Sequence, residues 1–206
     1  MIMDMKKVLK QIIILIPSVV ILALGISLSV TAGIGSDANA SFQSALSDLI
    51  HIPVGTIVFL YNVIVLLIFI LMKSRFIGVG SIVMGFFLGP FVNVFTSLLT
   101  PIVPSSFFGK LIFCLLGVFF LSLALSWYIP LNYGLQPADM LIQTIAGKIK
   151  QSYGTGQIIY NCLALLLAII LGGTIGIGTI LNAFLPGKIC DLLIPQFAKL
   201  QKKIRI

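Results

Sequence analysis

Long apolar segments separated by short polar ones dominate the sequence. A helix that spans a membrane needs about 20 mostly apolar residues. Six segments approach that length: residues 8–30, 54–72, 78–99, 107–129, 157–171 and 175–194. The fifth is the shortest of the six. The pattern predicts an all-α membrane protein with six transmembrane helices.

Two further segments are amphipathic and too short to cross a membrane. Residues 39–50 place apolar side chains at i, i+3, i+4 and i+7, the spacing of one helix face, and residues 140–149 repeat this pattern. Each segment follows a glycine-containing break. We expect each to form a short helix that lies in the membrane interface or enters the protein partway as a re-entrant helix.

The chain contains an internal repeat. The frame G-T-x-x-x-x-Y-N occurs at residues 55–62 and again at 154–161, and I-G-x-G-[ST]-I follows at 77–82 and 175–180. Upstream, Gly33 precedes Asp37 much as Gly134 precedes Asp139. The sequence therefore predicts two copies of one unit.

We place repeat 1 at about residues 8–100 and repeat 2 at about 107–196 of a single transmembrane domain, residues 1–206. A basic tail, residues 197–206, follows. Each repeat holds three spans, and this odd number predicts that the second copy crosses the membrane in the opposite direction. Inverted repeats of this kind are typical of transporters.

Composition and charge support the membrane assignment. With 59% hydrophobic residues, 9% charged residues and a mean hydropathy of +1.20, lipid must solvate most of the surface. The net charge of +8 favours anionic lipid headgroups over nucleic acid, because the basic residues form short clusters between the apolar segments. With six spans these clusters fall on one side, which predicts that both termini are cytoplasmic.

The leading binding candidates are Asp37 and Asp139, which lie at the predicted starts of the two short helices. If they are N-cap or first-turn carboxylates, their role is structural and requires only the start of a helix. Facing a cavity, they would bind a proton, a cation or a positively charged substrate. The helix N-termini themselves favour an anionic or polar ligand, so the sequence leaves the sign of the ligand open.

The repeated motif supplies further candidates. Asn62 and Asn161, next to Tyr61 and Tyr160, lie within spans two and five, where an amide either bonds neighbouring helices or lines a polar cavity. Their symmetric recurrence predicts that the two Tyr-Asn pairs face each other across a central axis.

Asp191 and its repeat partner Asn93 are the last two candidates. An ionisable residue inside a span is a candidate functional group, and Lys188, three residues earlier, is the available ion-pair partner for Asp191. Gly85 and Gly89 form a G-x-x-x-G spacing, which indicates close helix packing and, secondarily, a homodimer.

No catalytic constellation is visible in the sequence. The chain has no Glu and one His, and nothing matches a phosphate-binding loop or a metal-binding motif. We therefore expect no enzymatic activity, no cofactor and no metal.

The repeated motifs resemble those of the YczE/YyaS/YitT family of bacterial membrane proteins, most closely the YczE-like branch. The resemblance runs from about residue 22 to residue 191. It implies a multi-pass protein of the bacterial cell membrane with a transport role. Pro137 stands in the second turn as in that family, whereas the first turn, Gly35-Ser36-Asp37-Ala38, has no proline.

The sequence thus favours a small-molecule transporter or exporter with its site between the repeats. One alternative is a membrane accessory protein for a partner enzyme or regulator. Another is the substrate-binding subunit of an ATP-driven importer, against which the inverted repeat counts.

Overall fold

The computed structural model describes residues 5–35, 37–173 and 175–203, and every regular element in them is helical. Residues 1–4, 36, 174 and 204–206 lie outside the described residues. The α-helices are α1 (Met5–Thr31), α2 (Ala38–Ile50), α3 (Val54–Leu71), α4 (Val79–Leu99), α5 (Phe107–Tyr128), α6 (Pro137–Ile149), α7 (Tyr153–Ile170) and α8 (Ile177–Lys203). Short 3₁₀ turns, Thr100–Ile102 and Ile129–Leu131, follow α4 and α5.

The six predicted spans are confirmed as helices long and apolar enough to cross a membrane. Many large apolar side chains on them are exposed, among them Leu71 and Phe108. A soluble protein would have to cover such a surface, whereas lipid solvates it without cost.

Several helix boundaries differ from the prediction, and local capping rather than the apolar runs sets two of them. α6 begins at Pro137, where the missing N–H of proline costs nothing. α7 begins at Tyr153, since the Ser152 side chain accepts a hydrogen bond from the Thr155 N–H. α8 continues to Lys203, so the basic segment predicted as a tail is, up to that residue, the end of a helix.

The centre of the bundle is a close antiparallel crossing of α1 and α5. A Cβ atom placed on Gly25 would lie 2.6 Å from the Leu121 backbone nitrogen, and one on Gly117 would lie 2.8 Å from the Gly25 carbonyl oxygen and 2.9 Å from the Ser29 nitrogen. Residues later in α1 thus meet residues earlier in α5. The C-terminal ends of the two helices therefore lie at opposite ends of the bundle.

The remaining helices pack around this central pair. α4 packs on α1 and α8 packs on α5, while α3 and α7 pack on α4 and α8. The short helices α2 and α6 both contact α3 and α7. The packing is unequal, because α2 lies along α7 more extensively than α6 lies along α3.

Backbone conformations recur along the chain at a spacing of 99 residues, the separation of Tyr61 and Tyr160. α6 and α7 begin and end 99 residues after α2 and α3, respectively. All the positive-φ residues in the described ranges fall into pairs at this spacing: Gly33 and Asn132, Gly35 and Gly134, His51 and Lys150, Lys73 and Gly172.

Tertiary hydrogen bonds also recur in the two halves, with acceptors 99 residues apart and donors 98 residues apart. The Gly80 N–H donates to the Tyr133 carbonyl at 2.7 Å, and the Gly178 N–H donates to the Ile34 carbonyl at 2.9 Å. In each case the first turn of a long helix is tied to the chain just before a short helix. The local folds of the two halves are therefore built alike.

Alanine at Gly25 or Gly117 should destabilise the protein by about 1–3 kcal/mol, because each new Cβ would collide with backbone atoms that cannot move aside. The matched control is Gly85→Ala, where the nearest atom is 3.8 Å away. Thermal unfolding in detergent should show lower melting temperatures for the first two variants only. Equal melting temperatures for all three would contradict the close crossing.

Candidate functional site

A cavity of about 60 Å³, with both polar and apolar side chains in its wall, lies between the two halves of the chain. All but two of its lining residues pair at the 99-residue spacing: Leu22 and Leu121, Ile26 and Leu125, Asp37 and Gln136, Asn39 and Ala138, Ala40 and Asp139, Gln43 and Ile142, Val58 and Gln157, Asn62 and Asn161. Leu88 and Tyr160 complete the wall. The cavity is thus built from equivalent positions of both halves.

Tyr61 and Tyr160 meet beside this cavity, as the repeated motif predicts. Their hydroxyl oxygens are 2.7 Å apart. The Tyr160 hydroxyl donates to Asn39 Oδ1 at 2.9 Å, so the shared bond uses the proton of Tyr61. This chain of hydrogen bonds joins α3, α7 and α2.

Asn62 and Asn161 both line the cavity and are buried, but their amides differ. Asn161 Nδ2 donates to the Ala183 carbonyl at 3.1 Å and so ties α7 to α8. Asn62 Nδ2 has no hydrogen-bond partner within the described residues. Of the two uses that the sequence left open, Asn161 serves helix packing and Asn62 presents an unpaired donor at the cavity.

Asp37 and Asp139 both line the cavity, but they are not equivalent positions. The structure pairs Gly35 with Gly134, both at positive φ, and therefore pairs Asp37 with Gln136. The sequence-based register, which aligned Gly33 with Gly134, was wrong because the first turn contains two glycines. Asp37 is the N-cap of α2, and its Oδ1 accepts from the Asn39 and Ala40 N–H groups.

Asp139 lies within the first turn of α6 and is only 1% exposed. The Tyr153 hydroxyl donates to its Oδ1 at 2.8 Å. Its Oδ2 has no partner among the described residues. One side of this carboxyl group is therefore anchored to α7, while the other remains available.

Burial raises the pKa of both carboxyl groups. Desolvation raises the pKa of Asp139 from 3.8 to about 7, against the smaller opposing effect of the Tyr153 hydrogen bond. Desolvation also raises the pKa of Asp37, and the backbone hydrogen bonds from Ala40 and Asn39 partly offset it. Asp139 is thus poised to gain or lose its proton near neutral pH.

Asn93 and Asp191 lie outside the cavity lining and hold helix starts. Asn93 Oδ1 accepts from the Gly55 N–H at 3.1 Å, and Asp191 Oδ1 accepts from the Gly154 N–H at 2.9 Å. Asp191 Oδ2 accepts from the Ser152 hydroxyl at 2.8 Å, so its two oxygens serve these donors rather than Lys188. Each side chain therefore supplies a cap from a neighbouring helix.

Sequence reasoning missed Gln157, which is 6% exposed and whose Oε1 has no partner among the described residues. It also missed Asn39, Gln43 and Gln136, which line the cavity. The repeat comparison looked for residues shared by the two copies, and Gln157 has Val58 as its counterpart. The signal that could have revealed it is a polar residue at the edge of an apolar span.

Two surface clefts lie at opposite ends of the bundle, next to the C-terminal ends of α1 and α5. Their volumes are about 180 Å³ and about 400 Å³. They share four residue pairs at the 99-residue spacing: Val30 and Ile129, Gly33 and Asn132, Gly35 and Gly134, Ser44 and Gln143. The cleft near α1 also contains Asp48, and the one near α5 contains Arg75.

Carboxyl, amide and hydroxyl groups make up the polar chemistry of this cavity. Within the described ranges no three His, Cys, Asp or Glu side chains lie close enough to hold a metal ion. The groups present can hydrogen-bond a small solute and carry a proton.

Asp139 should make protein stability depend on pH in a defined direction. Because its folded pKa is raised, the folded state keeps a proton between about pH 4 and pH 7 that the unfolded chain has lost. Stability should therefore fall as pH rises through this window, by at most about 4 kcal/mol, and level off above it.

The measurement is the melting temperature of the wild type against that of Asp139→Asn over this pH range. The variant should show a flatter profile and should be the more stable of the two at pH 8. Parallel profiles would contradict the assignment of the raised pKa to Asp139.

Comparison with known proteins finds similar proteins in two bacteria. It is 27% identical over 191 residues to an uncharacterised protein of Haemophilus influenzae, covering 93% of this chain and 86% of the relative. It is 30% identical to the Bacillus subtilis protein YyaS, covering 86% and 89% of the two chains. The uncharacterised membrane protein YczE of Bacillus subtilis is 26% identical, with coverage of 88% and 84%.

No solved structure matches the chain. The apolar helices and the likeness to YczE make this a membrane protein. The match to the profile of DUF6198, a family of unknown function, spans residues 9–195. The chain belongs to this family and to the YczE/YyaS-like group of membrane proteins.

Proposed function

We propose that this protein is a small-solute transporter whose binding site is the cavity between two inverted repeats. The observation that carries the proposal is that three of the five buried side-chain atoms without partners among the described residues lie on residues that line this one cavity: Asn62 Nδ2, Asp139 Oδ2 and Gln157 Oε1. The other two are the hydroxyls of Ser18 and Ser126. Such groups cost free energy unless they are hydrogen-bonded, and a polar solute satisfies them.

The recurrence of the backbone at 99 residues supports the inverted arrangement. Each half contributes three spans, and the equivalent helices α1 and α5 cross antiparallel. An axis between these helices exchanges the two halves and turns the bundle upside down. In transporters of this design the site lies near the repeat interface, as the cavity does here.

The two equivalent clefts support alternating access. They lie at opposite ends of the bundle and flank the short helices that contribute Asp37, Gln136 and Asp139 to the cavity. α2 packs on α7 more extensively than α6 packs on α3. This asymmetry supports a protein with two interconvertible conformations, of which this is one. In the other conformation, α6 would pack closely on α3 and α2 loosely on α7.

Charge supports an orientation for this arrangement. Lys73 and Arg75 lie between α3 and α4, and Lys148 and Lys150 lie at the end of α6. In a six-span topology, all four are on the same side of the membrane as the end of α8. The positive-inside rule then assigns the cleft with Arg75 and both termini to the cytoplasm, in a bacterial cell membrane.

The experiment that tests this function compares Asn62→Leu with Asn161→Leu in proteoliposomes and in thermal unfolding. Asn62→Leu should abolish uptake or release of the solute while raising stability by about 1–3 kcal/mol, since it removes an unpaired buried amide. Asn161→Leu should lower stability, because it breaks a bond to α8.

The solute for the flux measurement comes from a thermal-shift screen of the purified wild type, since a ligand of the native state raises its melting temperature. If no solute stabilises the protein or crosses the membrane while a partner protein co-purifies, the accessory interpretation replaces transport. If the two leucine variants behave alike, the central cavity is not the site.

A further inference from the structure

We propose that the cavity binds a small hydrogen-bond-donating cation, of the ammonium or guanidinium class, in exchange for the proton of Asp139. This inference rests on the proposed function, since it specifies the ligand of the same cavity. When the cation binds, the Oδ2–H bond of Asp139 breaks and the proton passes to water on the side to which the cavity opens. When the cation leaves, a proton from that water returns to Oδ2.

The charges around the cavity favour a cation. Asp37 and Asp139 line it, and within the described part of the chain no Lys, Arg or His lies in its wall. An anion in the cavity would therefore face two carboxyl groups and no basic side chain of the described wall. A cation pairs with at least one of them.

The helix starts do not compensate for these carboxyl groups. The first N–H groups of α2 are already bound by Asp37 Oδ1, from Asn39 at 3.0 Å and from Ala40 at 3.1 Å. α6 begins with Pro137, which has no N–H to offer, and holds Asp139 in its first turn. Asp37 thus occupies the start of α2, and an anion at the start of α6 would meet the Asp139 carboxyl group. The structure therefore favours a cation over the anion that the sequence left open.

The unpaired atoms call for hydrogen-bond donors. Asp139 Oδ2 and Gln157 Oε1 are both acceptors on side chains that are more than nine-tenths buried. A cation with several N–H groups satisfies both together. The unpaired donor, Asn62 Nδ2, is satisfied by a water molecule that enters with the cation.

The size of the cavity limits the cation. A volume of about 60 Å³ accommodates roughly four to six water-sized groups. Guanidinium and methylammonium fit within this limit, whereas a nucleoside or a lipid headgroup with its chains does not.

Proton and cation exclude each other because Asp139 is buried. A bare carboxylate at 1% exposure is costly, so either a proton or a bound cation must neutralise it. Its pKa of about 7 keeps the two forms close in free energy at neutral pH.

The groups that face Asp139 from the surrounding elements do not supply a competing positive charge. They are Tyr61 of α3, Tyr153 and Tyr160 of α7 and Cys190 of α8, with Asp37 sharing the cavity. Neutral tyrosines and a neutral thiol leave the Asp139 carboxyl as the group that exchanges its proton.

The test is thermal unfolding of the purified full chain in the presence of a millimolar solute. Guanidinium, urea and nitrate are planar and similar in shape but differ in charge. Methylammonium serves as a second cation. Both cations should raise the melting temperature at pH 8, and their apparent Kd should rise about tenfold for each pH unit below the pKa of Asp139. Urea and nitrate should have no effect. Calorimetry in two buffers of different ionisation enthalpy should detect about one proton released per cation bound near pH 6.

Asp139→Asn should abolish cation binding and proton release, while Asp48→Asn, which changes an exposed carboxyl group outside the cavity, should leave both intact. Tyr153→Phe keeps the carboxyl group but removes the hydrogen bond that lowers its pKa, so the pH dependence of binding should move to higher pH.

Equal stabilisation by urea or nitrate, no stabilisation by either cation at pH 8, or pH-dependent cation binding that persists in Asp139→Asn would overturn the inference. The proposed function fails separately. Cation binding without flux in proteoliposomes supports the ligand class and contradicts transport. Flux of a neutral or anionic solute supports transport and overturns the ligand class.

Discussion

A polar group that is buried away from water must find a hydrogen-bond partner, and this constraint governs the whole structure. At the helix ends it is met inside the protein. Asn93 and Asp191 accept from the first turns of α3 and α7, and the carbonyls of Tyr133 and Ile34 accept from the first turns of α4 and α8. At the cavity it is left open at Asn62 Nδ2, Asp139 Oδ2 and Gln157 Oε1, and these are the groups that the proposed solute would satisfy.

The two halves have the same backbone fold but differ in the side chains that they place in the cavity wall. Equivalent positions form the cavity wall, yet the counterpart of Asp139 is Ala40 and the counterpart of Gln157 is Val58. A duplicated fold fixes where the cavity lies, because residues near the axis come from both copies. In the proposed function, substitution in one copy then sets the ligand, since Asp139 and Gln157 come from the second copy alone.

The sequence predicted the structural features that both repeats share. Apolar length predicted the six spans, and the repeated Tyr-Asn motif predicted the contact of Tyr61 with Tyr160. It did not predict features that one copy carries alone. Gln157 has no polar counterpart, and the two glycines of the first turn concealed the true partner of Asp37. Helix boundaries at Pro137 and Tyr153 depend on local capping, which the apolar runs do not record.

The central claim is that the cavity between the halves opens in turn to each side of the membrane. The most direct measurement places a single cysteine at Ala40, in the cavity wall, in a variant from which Cys114, Cys162 and Cys190 have been removed. A membrane-impermeant thiol reagent is then applied to either side of oriented vesicles. The account predicts that position 40 reacts from both sides. Labelling from one side alone, or from neither, would contradict it.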